Sequence, residues 1–320
     1  MKAAYYSTNG EPDVLQYGEV EEPRCGPEDI TIKVTAISLE GGDLLNRRYT
    51  QPEGRIHIPG YQAAGVVAKV GDLVETIRAG DRVVGFNWSG SHADLFVVPQ
   101  HLAYPVPAEL DLVTAAAVPV AFGTAREALF EFGRLAVGET VLIHGAGGNV
   151  GIALVQFAKR AGATVIGTAS SDEKLDRLRQ LGLDHGINSR GDDIRKTVSE
   201  LTGGAGVDLV VDLVGAPGFP EVFASLRRRG RMVLVGAASG QIPSLDYHGI
   251  RKAGLTVTGL LFGKEMHTPR VHSMISEIFA DVVAGRLVVP IEKKFALGDA
   301  AAAHRYAEQS RPFGKVILVP

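Results

Sequence analysis

Cysteine is nearly absent: Cys25 stands alone. One thiol excludes an internal disulfide and a structural zinc site built from four cysteines, and it fits a reducing, cytoplasmic setting. An excess of one charge is also missing. Lys and Arg number 33 against 36 Asp and Glu, a net charge of −3, so no basic footprint points to nucleic acid as a partner. No apolar run reaches the length of a membrane span, and the opening Met1-Lys-Ala-Ala lacks the basic-then-apolar pattern of a signal segment. The nine histidines show no ligand spacing beside a carboxylate or cysteine. Metal chemistry and membrane anchoring therefore lose their usual sequence signals.

What the chain does have is glycine, 39 of them, and a 45% hydrophobic content over 320 residues, enough for two domains with separate cores. The most informative stretch runs from Thr140 to Lys174. Val141 to His144 is a short apolar run suited to a buried parallel strand. Gly145, Gly147, Gly148 and Gly151 follow, and glycines let a chain turn sharply and approach a pyrophosphate without a Cβ in the way. A helix beginning near Asn149, with Val150 in its first turn, points its N-terminal N–H groups at such an anion. Val150, Leu154, Phe157 and Ala158 recur at helical spacing and would pack on the sheet. This strand, glycine turn and helix is the context a dinucleotide-binding motif requires.

The second strand of that unit selects the cofactor. NAD-selective sites place Asp or Glu about twenty residues past the glycines to bind the ribose 2′-hydroxyl. Here the strand ends in Ala169-Ser170-Ser171, so no carboxylate repels a 2′-phosphate, and Lys174 is placed to pair with one. Asp172 suits the first turn of the next helix. These residues predict NADP (NADPH) over NAD.

Residues 1 to about 120 read as mainly β, with strands expected around 30–37, 64–70, 81–86 and 95–98. From Val113 the pattern turns helical, and Ala115, Val118, Ala121, Ala125 and Leu129 can share one face. Strands at 141–145, 164–169, 185–188, 207–213, 231–235 and 255–261, mostly separated by helices, imply a parallel sheet covered on both faces. Arg227-Arg-Arg229 reads as a solvated helix end. Helices near 271–284 and 298–309 and a strand at 315–319 close the chain. They are expected to complete the first domain, because a lone tail of that length makes a poor core. The expected division is 1–120 with 263–320, and 121–262.

Together these features resemble the medium-chain dehydrogenase/reductase superfamily, in its zinc-free quinone oxidoreductase branch, which includes zeta-crystallin. The resemblance spans essentially the whole chain. It rests on Met1-Lys-Ala-Ala, Pro59-Gly60 through Gly71, Ala79-Gly-Asp-Arg-Val-Val84 and Thr124 through Leu129. It continues in Val141 through Gly151, Gly182 through Asn188, Gly206 through Asp212, and Gly314-Lys315-Val-Ile-Leu. It implies an α/β fold: a GroES-like β-rich domain and a Rossmann domain with a doubly wound parallel sheet. It also implies a cytoplasmic homodimer formed by pairing sheet edges, and the apolar edge near Leu255–Leu261 would then be covered.

By resemblance, Thr124 approaches the nicotinamide, and Gly145, Gly148, Val150 and Gly151 match the pyrophosphate turn. Ser170 and Lys174 match the 2′-phosphate pocket, with Ser171 beside them. Gly236 and Ala237 close the fifth strand, Leu261 and Phe262 follow the sixth and flank the nicotinamide, and Gly314 and Lys315 match the family's tail contact. Asn149 replaces a usual glycine and is tolerable at a helix start that binds phosphate. Ser189 stands where a tyrosine often contacts the adenosine.

The departures matter as much. The zinc-dependent branch has a Cys near residues 38–43 and a His-Glu pair near 61–62. Here the segments are Ser38-Leu-Glu40-Gly-Gly-Asp43 and Tyr61-Gln62, so no catalytic zinc is expected. Quinone reductases usually carry Asn in place of Glu40, so a carboxylate here changes the charge of the substrate site.

Without zinc, an alcohol dehydrogenase lacks its Lewis acid. Hydride delivery to a conjugated acceptor needs only hydrogen-bond donors and a proton. The expected activity is NADPH-dependent reduction of a quinone or similar conjugated carbonyl. Candidate catalytic groups are Glu40, Asp43, Tyr49, Tyr61 and Thr124, with Glu40 and Asp43 either a proton relay or a loop charge and a helix cap. Two alternatives stay open. One is an enone or enoyl-thioester reductase, for which Arg47-Arg48 and Arg55 would be the basic residues facing a carrier. The other is an NADPH-binding protein with a structural or RNA-binding role, as the crystallin members of the branch make conceivable.

Overall fold

The computed structural model describes residues 1–320. The chain forms two compact units, one of residues 1–120 with 263–320, the other of residues 121–262.

In chain order the first unit opens with an antiparallel pair, β1 (Lys2–Tyr5) and β2 (Gln16–Glu19). Then come β3 (Asp29–Ser38), α1 (Gly41–Tyr49), β4 (Gln62–Val70), β5 (Arg82–Phe86), β6 (Leu95–Pro99) and β7 (Ala103–Pro105). β3 is the spine of this unit. Its Ile30, Ile32, Val34 and Ile37 are buried in one core with Val67, Val83, Phe96 and Val98, and β-branched residues suit a strand packed on both sides. It pairs antiparallel with both β4 and β6.

The expected single helical face breaks in two. Ala115, Val118, Ala121, Ala125 and Leu129 are all fully buried, but Ala115 is on α2 (Leu112–Ala116), Val118 lies in the break after it, Ala121 and Ala125 are on α3 (Pro119–Arg126), and Leu129 is in a π-helical stretch over Glu127–Phe132. Pro119 lacks the N–H that would continue α2. The first helix is capped by Asp111, whose carboxylate accepts from the Thr114 N–H at 2.9 Å.

The second unit alternates strictly. β8 (Thr140–His144), α4 (Asn149–Arg160), β9 (Thr164–Ala169), α5 (Asp172–Arg179), β10 (His185–Asn188) and α6 (Ile194–Leu201) form its first half. β11 (Val207–Asp212), α7 (Phe219–Ala224), β12 (Leu226–Leu234), α8 (Tyr247–Ala253) and β13 (Thr256–Gly259) form its second. The sheet order is β10-β9-β8-β11-β12-β13 and every pair is parallel. That is the doubly wound Rossmann order, which places ligands at the carboxyl ends of the central strands.

β12 begins five residues before the expected start at 231, so Arg227–Arg229 lies on a strand and not at a helix end. Arg227 pairs with Asp208 at 2.5 Å, Arg229 adopts a positive φ of 61°, and the ladder to β11 shifts register between Val207 and Leu209.

The last 58 residues return to the first unit as α9 (Pro269–Val283), β14 (Ile291–Ala296), α10 (Ala300–Ser310) and β15 (Lys315–Val319). β15 runs parallel to β14 and pairs antiparallel with β3 at Ser38 and Ile37. The Leu39 N–H donates to the Val316 carbonyl at 3.0 Å, which seats the start of β15 beside Ser38–Glu40. No helix is long and apolar enough to cross a membrane.

Candidate functional site

In the second unit the glycine turn is built from backbone. Gly145 has a φ of +89°; its N–H donates to Thr168 Oγ1 at 3.0 Å, and the Ala146 N–H donates to the Thr168 carbonyl at 2.8 Å. A Cβ on Gly151 would sit 2.5 Å from the Gly145 and Ala146 carbonyl oxygens, so α4 reaches this close only because residue 151 has none. A Cβ on Gly148 would meet nothing nearer than 3.5 Å, leaving that side of the turn open. Gly148 is the N-cap of α4, and no side chain caps it. The N–H groups of Asn149, Val150 and Gly151 therefore lack intrahelical acceptors and present the positive end of the helix dipole.

The end of β9 lies beside this turn. A Cβ on Gly147 would sit 3.1 Å from Lys174 Cδ and 3.3 Å from Ala169 Cβ, so the Lys174 stem lies along the glycines. Ser170 is half-buried, and Ser171 caps α5 by accepting from the Lys174 N–H at 3.5 Å. The Asp172 carboxylate accepts from Asn188 Nδ2 at 3.1 Å. Ser189 is tied to the Ala169 carbonyl by its N–H at 2.9 Å and its hydroxyl at 3.2 Å.

Gly236 and Ala237 follow β12, with the Gly236 N–H donating to the Asp212 carbonyl at 3.4 Å. Beyond β13, Leu261 is exposed and Phe262 is buried. Thr124 is buried on α3. His144 Nδ1 binds Asp212 Oδ1 at 2.7 Å, and that oxygen also accepts from the Val214 and Gly215 N–H groups. The pair braces the ends of β8 and β11 and is structural.

In the first unit a second site is built from side chains. Glu40, the N-cap of α1, is buried. Its carboxylate accepts from Ser38 Oγ at 2.7 Å and from Gln62 Nε2 at 3.4 Å, and it forms a buried ion pair with Lys315. The extra negative charge expected at the substrate site is thus matched by an ammonium brought there by β15. Lys315, expected among the cofactor contacts, instead sets its ammonium against Glu40, while Gly314 before it takes a φ of +128°.

Asp43 accepts from the Glu40 N–H at 2.9 Å through Oδ2, so it does cap α1, which starts at Gly41 rather than Leu44. Its other oxygen, Oδ1, is buried without a partner. Burial above all, and then the Glu40 charge, pushes the Asp43 carboxyl well above the usual range, against the opposing pull of the Glu40 N–H and Lys315. Burial first, then the charges of Asp43 and Glu40, likewise pushes the Tyr61 phenol well up, so it stays protonated. The Tyr61 hydroxyl packs against Gly42, where a Cβ would sit 2.6 Å from it.

Tyr49 does not join this group. It is exposed at the last position of α1, about 12 Å along the axis from the first residue at 1.5 Å per residue. Of the three basic residues expected to face a carrier-borne thioester, Arg55 is exposed, but the other two are committed elsewhere. Arg47 is fully buried and paired with Glu308, and Arg48 binds Glu11 at 2.7 Å.

Several participants carried no sequence signal. Ser38 and Gln62 complete the polar cluster; Gln62 also donates to the Ala116 carbonyl at 2.5 Å and accepts from the Val120 N–H at 2.8 Å, bridging the break before α3. Phe86 and Trp88 extend from Tyr61 as a row of rings. No periodicity links Glu40 to a lysine 275 residues away.

Comparison with known proteins gives two family models in chain order. Residues 26–108 match the alcohol dehydrogenase GroES-like domain, and residues 149–277 match the zinc-binding dehydrogenase model. The 2-haloacrylate reductase of a Burkholderia species is 32% identical over 330 residues, covering 100% of this chain and 99% of that protein. The quinone oxidoreductase of Pseudomonas aeruginosa is 32% identical over 324 residues, with the same coverage. Among solved structures, the Escherichia coli quinone oxidoreductase complexed with NADPH superposes with a TM-score of 0.95 at 29% identity, covering 100% of both chains.

Proposed function

Because the chain belongs to the quinone oxidoreductase branch of the medium-chain dehydrogenase/reductase superfamily, we propose that it is an NADPH-dependent oxidoreductase of quinones or similarly activated conjugated carbonyls, working without zinc. The observation that carries this reading is the buried Glu40–Lys315 pair, with Tyr61 and Asp43 beside it, in the place where zinc-dependent relatives need cysteine and imidazole ligands. Glu40 is already opposed by an ammonium, and its neighbours are hydroxyl and amide groups, a poor donor set for zinc.

The second unit fits the cofactor. Open space over Gly148, the uncapped start of α4 and the Lys174 stem along the turn suit a pyrophosphate and a 2′-phosphate. Bound there, NADPH would supply the hydride. Asn149, Val150 and Gly151 would hold the pyrophosphate through their N–H groups. Lys174 and Ser170 would hold the 2′-phosphate, while Ser171 caps the first turn of α5. Thr124 and Leu261 would serve the nicotinamide, as the family resemblance implies.

On the acceptor side, Tyr61 Oη keeps its proton and donates to the oxygen on which negative charge develops. Asp43, held toward its neutral form by burial, keeps the negative charge beside Tyr61 low. Glu40 fixes the Lys315 ammonium, whose field stabilises the same charge. The exposed flank of β13, which pairs only with β12, suits a homodimer made by sheet-edge pairing; light scattering that gives a monomer at micromolar concentration removes that part.

A second reading has one observation in its favour: the 2-haloacrylate reductase relative is as similar as the quinone oxidoreductase. A haloacrylate is an activated C=C compound, so an enone or enoyl acceptor uses the same groups. Cofactor oxidation followed by absorbance, with NADPH and NADH against matched quinone and α,β-unsaturated carbonyl panels, separates the readings. Fast NADPH-dependent quinone turnover with slow enone reduction supports the first. The reverse preference moves the chain to the C=C reductases, and no turnover on either panel contradicts both.

A further inference from the structure

The row of rings that begins at Tyr61 ends at the surface. Tyr61 and Phe86 meet edge to face with centroids 5.9 Å apart, and Phe86 and Trp88 do so at 5.4 Å. Phe86 is buried, whereas Trp88 is 49% exposed. An exposed indole is unremarkable when it is loose, but this one is held on several sides. A Cβ on Gly263 would sit 2.5 Å from Trp88 Cη2 and 3.1 Å from Phe86 Cζ, so the backbone at 263 packs on the row. Asn87 Oδ1 accepts from the Trp88 backbone N–H at 2.9 Å, while Asn87 Nδ2 donates to the Val97 carbonyl at 3.2 Å. The Lys264 ammonium lies 5.4 Å from the indole centroid, over the ring.

We propose that Trp88 and Lys264 form an outer acceptor subsite: a fixed aromatic platform that stacks a flat conjugated acceptor and favours one bearing an anionic substituent. The inference rests on the reductase reading and names the acceptor class that reading leaves open. A rigid indole loses little conformational freedom on stacking, and its face attracts a flat electron-poor ring. Lys264 sits where an acidic substituent on that ring gains an ion pair. Phe86 packs between the platform and the Tyr61 ring, so the subsite is built on the same row of rings.

Trp88 is the only tryptophan in the chain, so emission excited selectively at tryptophan reports this side chain alone. The experiment titrates the full chain, in oxidised NADP, with a sulfonated naphthoquinone and with its neutral parent. The expected result is saturable quenching, about tenfold tighter for the sulfonated compound, with Lys264→Gln erasing the difference. In steady state, Trp88→Leu should raise KM for the sulfonated acceptor about tenfold, more than it lowers kcat, and Trp88→Phe should restore most of that loss. Linear, unsaturable quenching, or an unchanged KM in Trp88→Leu, overturns the subsite while leaving quinone reduction standing. Saturable quenching in a protein that turns over no quinone supports the platform and removes the reductase reading instead.

Discussion

The two sites of this molecule are made of different materials. The glycine turn of the second unit is backbone: its key contacts run between residues 145, 146, 148, 151 and 168, most of them neighbours in sequence. The acceptor-side cluster of the first unit is side chain: Ser38, Glu40, Asp43 and Gln62 come from adjoining elements, and Lys315 arrives from the far end of the chain. On the function proposed above, the first would recognise groups present on every dinucleotide, and the second would act on the acceptor.

The largest effect should come from breaking the side-chain site. Lys315→Met leaves the Glu40 carboxylate buried without its charge partner, a change that costs about 3–5 kcal/mol of folding stability for such pairs. Chemical denaturation measures it, and Glu40→Gln/Lys315→Met should recover most of the loss. If Lys315→Met leaves the midpoint unchanged, the pair is not the support described.

Breaking the backbone site comes next. Gly151→Val puts side-chain atoms where even a Cβ meets two carbonyl oxygens at 2.5 Å, and the strain, about 1–3 kcal/mol for such overpacking, should displace α4 and weaken NADPH binding by up to roughly a hundredfold. Calorimetric titration with NADPH checks it; wild-type affinity would mean the turn does not hold the pyrophosphate.

A smaller effect concerns pH and belongs to the first unit alone. His92 and His304 are fully buried, with their Nε2 atoms 3.1 Å apart and each Nδ1 unpartnered. Burial, with the field of His57 second, holds His92 down to about 3; burial, then the fields of His92 and Arg47, holds His304 well below its usual value. Both stay neutral in the folded chain while unfolded imidazoles titrate near about 6.5. Their contribution is therefore present above about pH 6.5 and lost as pH falls toward about 3, at up to about 1.4 kcal/mol per pH unit for each group. His92→Gln should flatten the fall in melting temperature between pH 6 and 4, a window set by those two values. An equally steep fall in the variant would contradict the assignment.

The smallest effect sharpens cofactor choice. Lys174→Ala should weaken NADPH about tenfold, one lost phosphate pairing, with NADH little changed. Equal losses for both cofactors would remove the phosphate role.

The same contrast explains what could be read in advance. Every strand of the parallel sheet was legible: the central ones, buried on both faces, read as apolar runs, and the edge strands β10 and β13 were marked by the turn residues around them. β12 began five residues early, where Arg227–Arg229 mimic a helix end but lie in the register shift of its ladder to β11. The helical face at 115–129 was legible as burial but not as continuity, since periodicity counts side chains and Pro119 acts through a missing N–H. Glu40 and Asp43 stood out by their type. Their partner Lys315, the neutral-leaning Asp43 and the Trp88 row did not, because only the tertiary fold sets these distances and this burial.

The most direct test of the division between a cofactor site and an acceptor site is single-turnover reduction of a quinone by Glu40→Gln at saturating NADPH, with the NADPH dissociation constant measured on the same sample. A site that acts on the acceptor predicts a chemical step slowed about tenfold or more with NADPH affinity held within about twofold, because a misoriented Lys315 is felt only as charge develops. An unchanged rate, or a loss of NADPH affinity equal to the loss of rate, would contradict it.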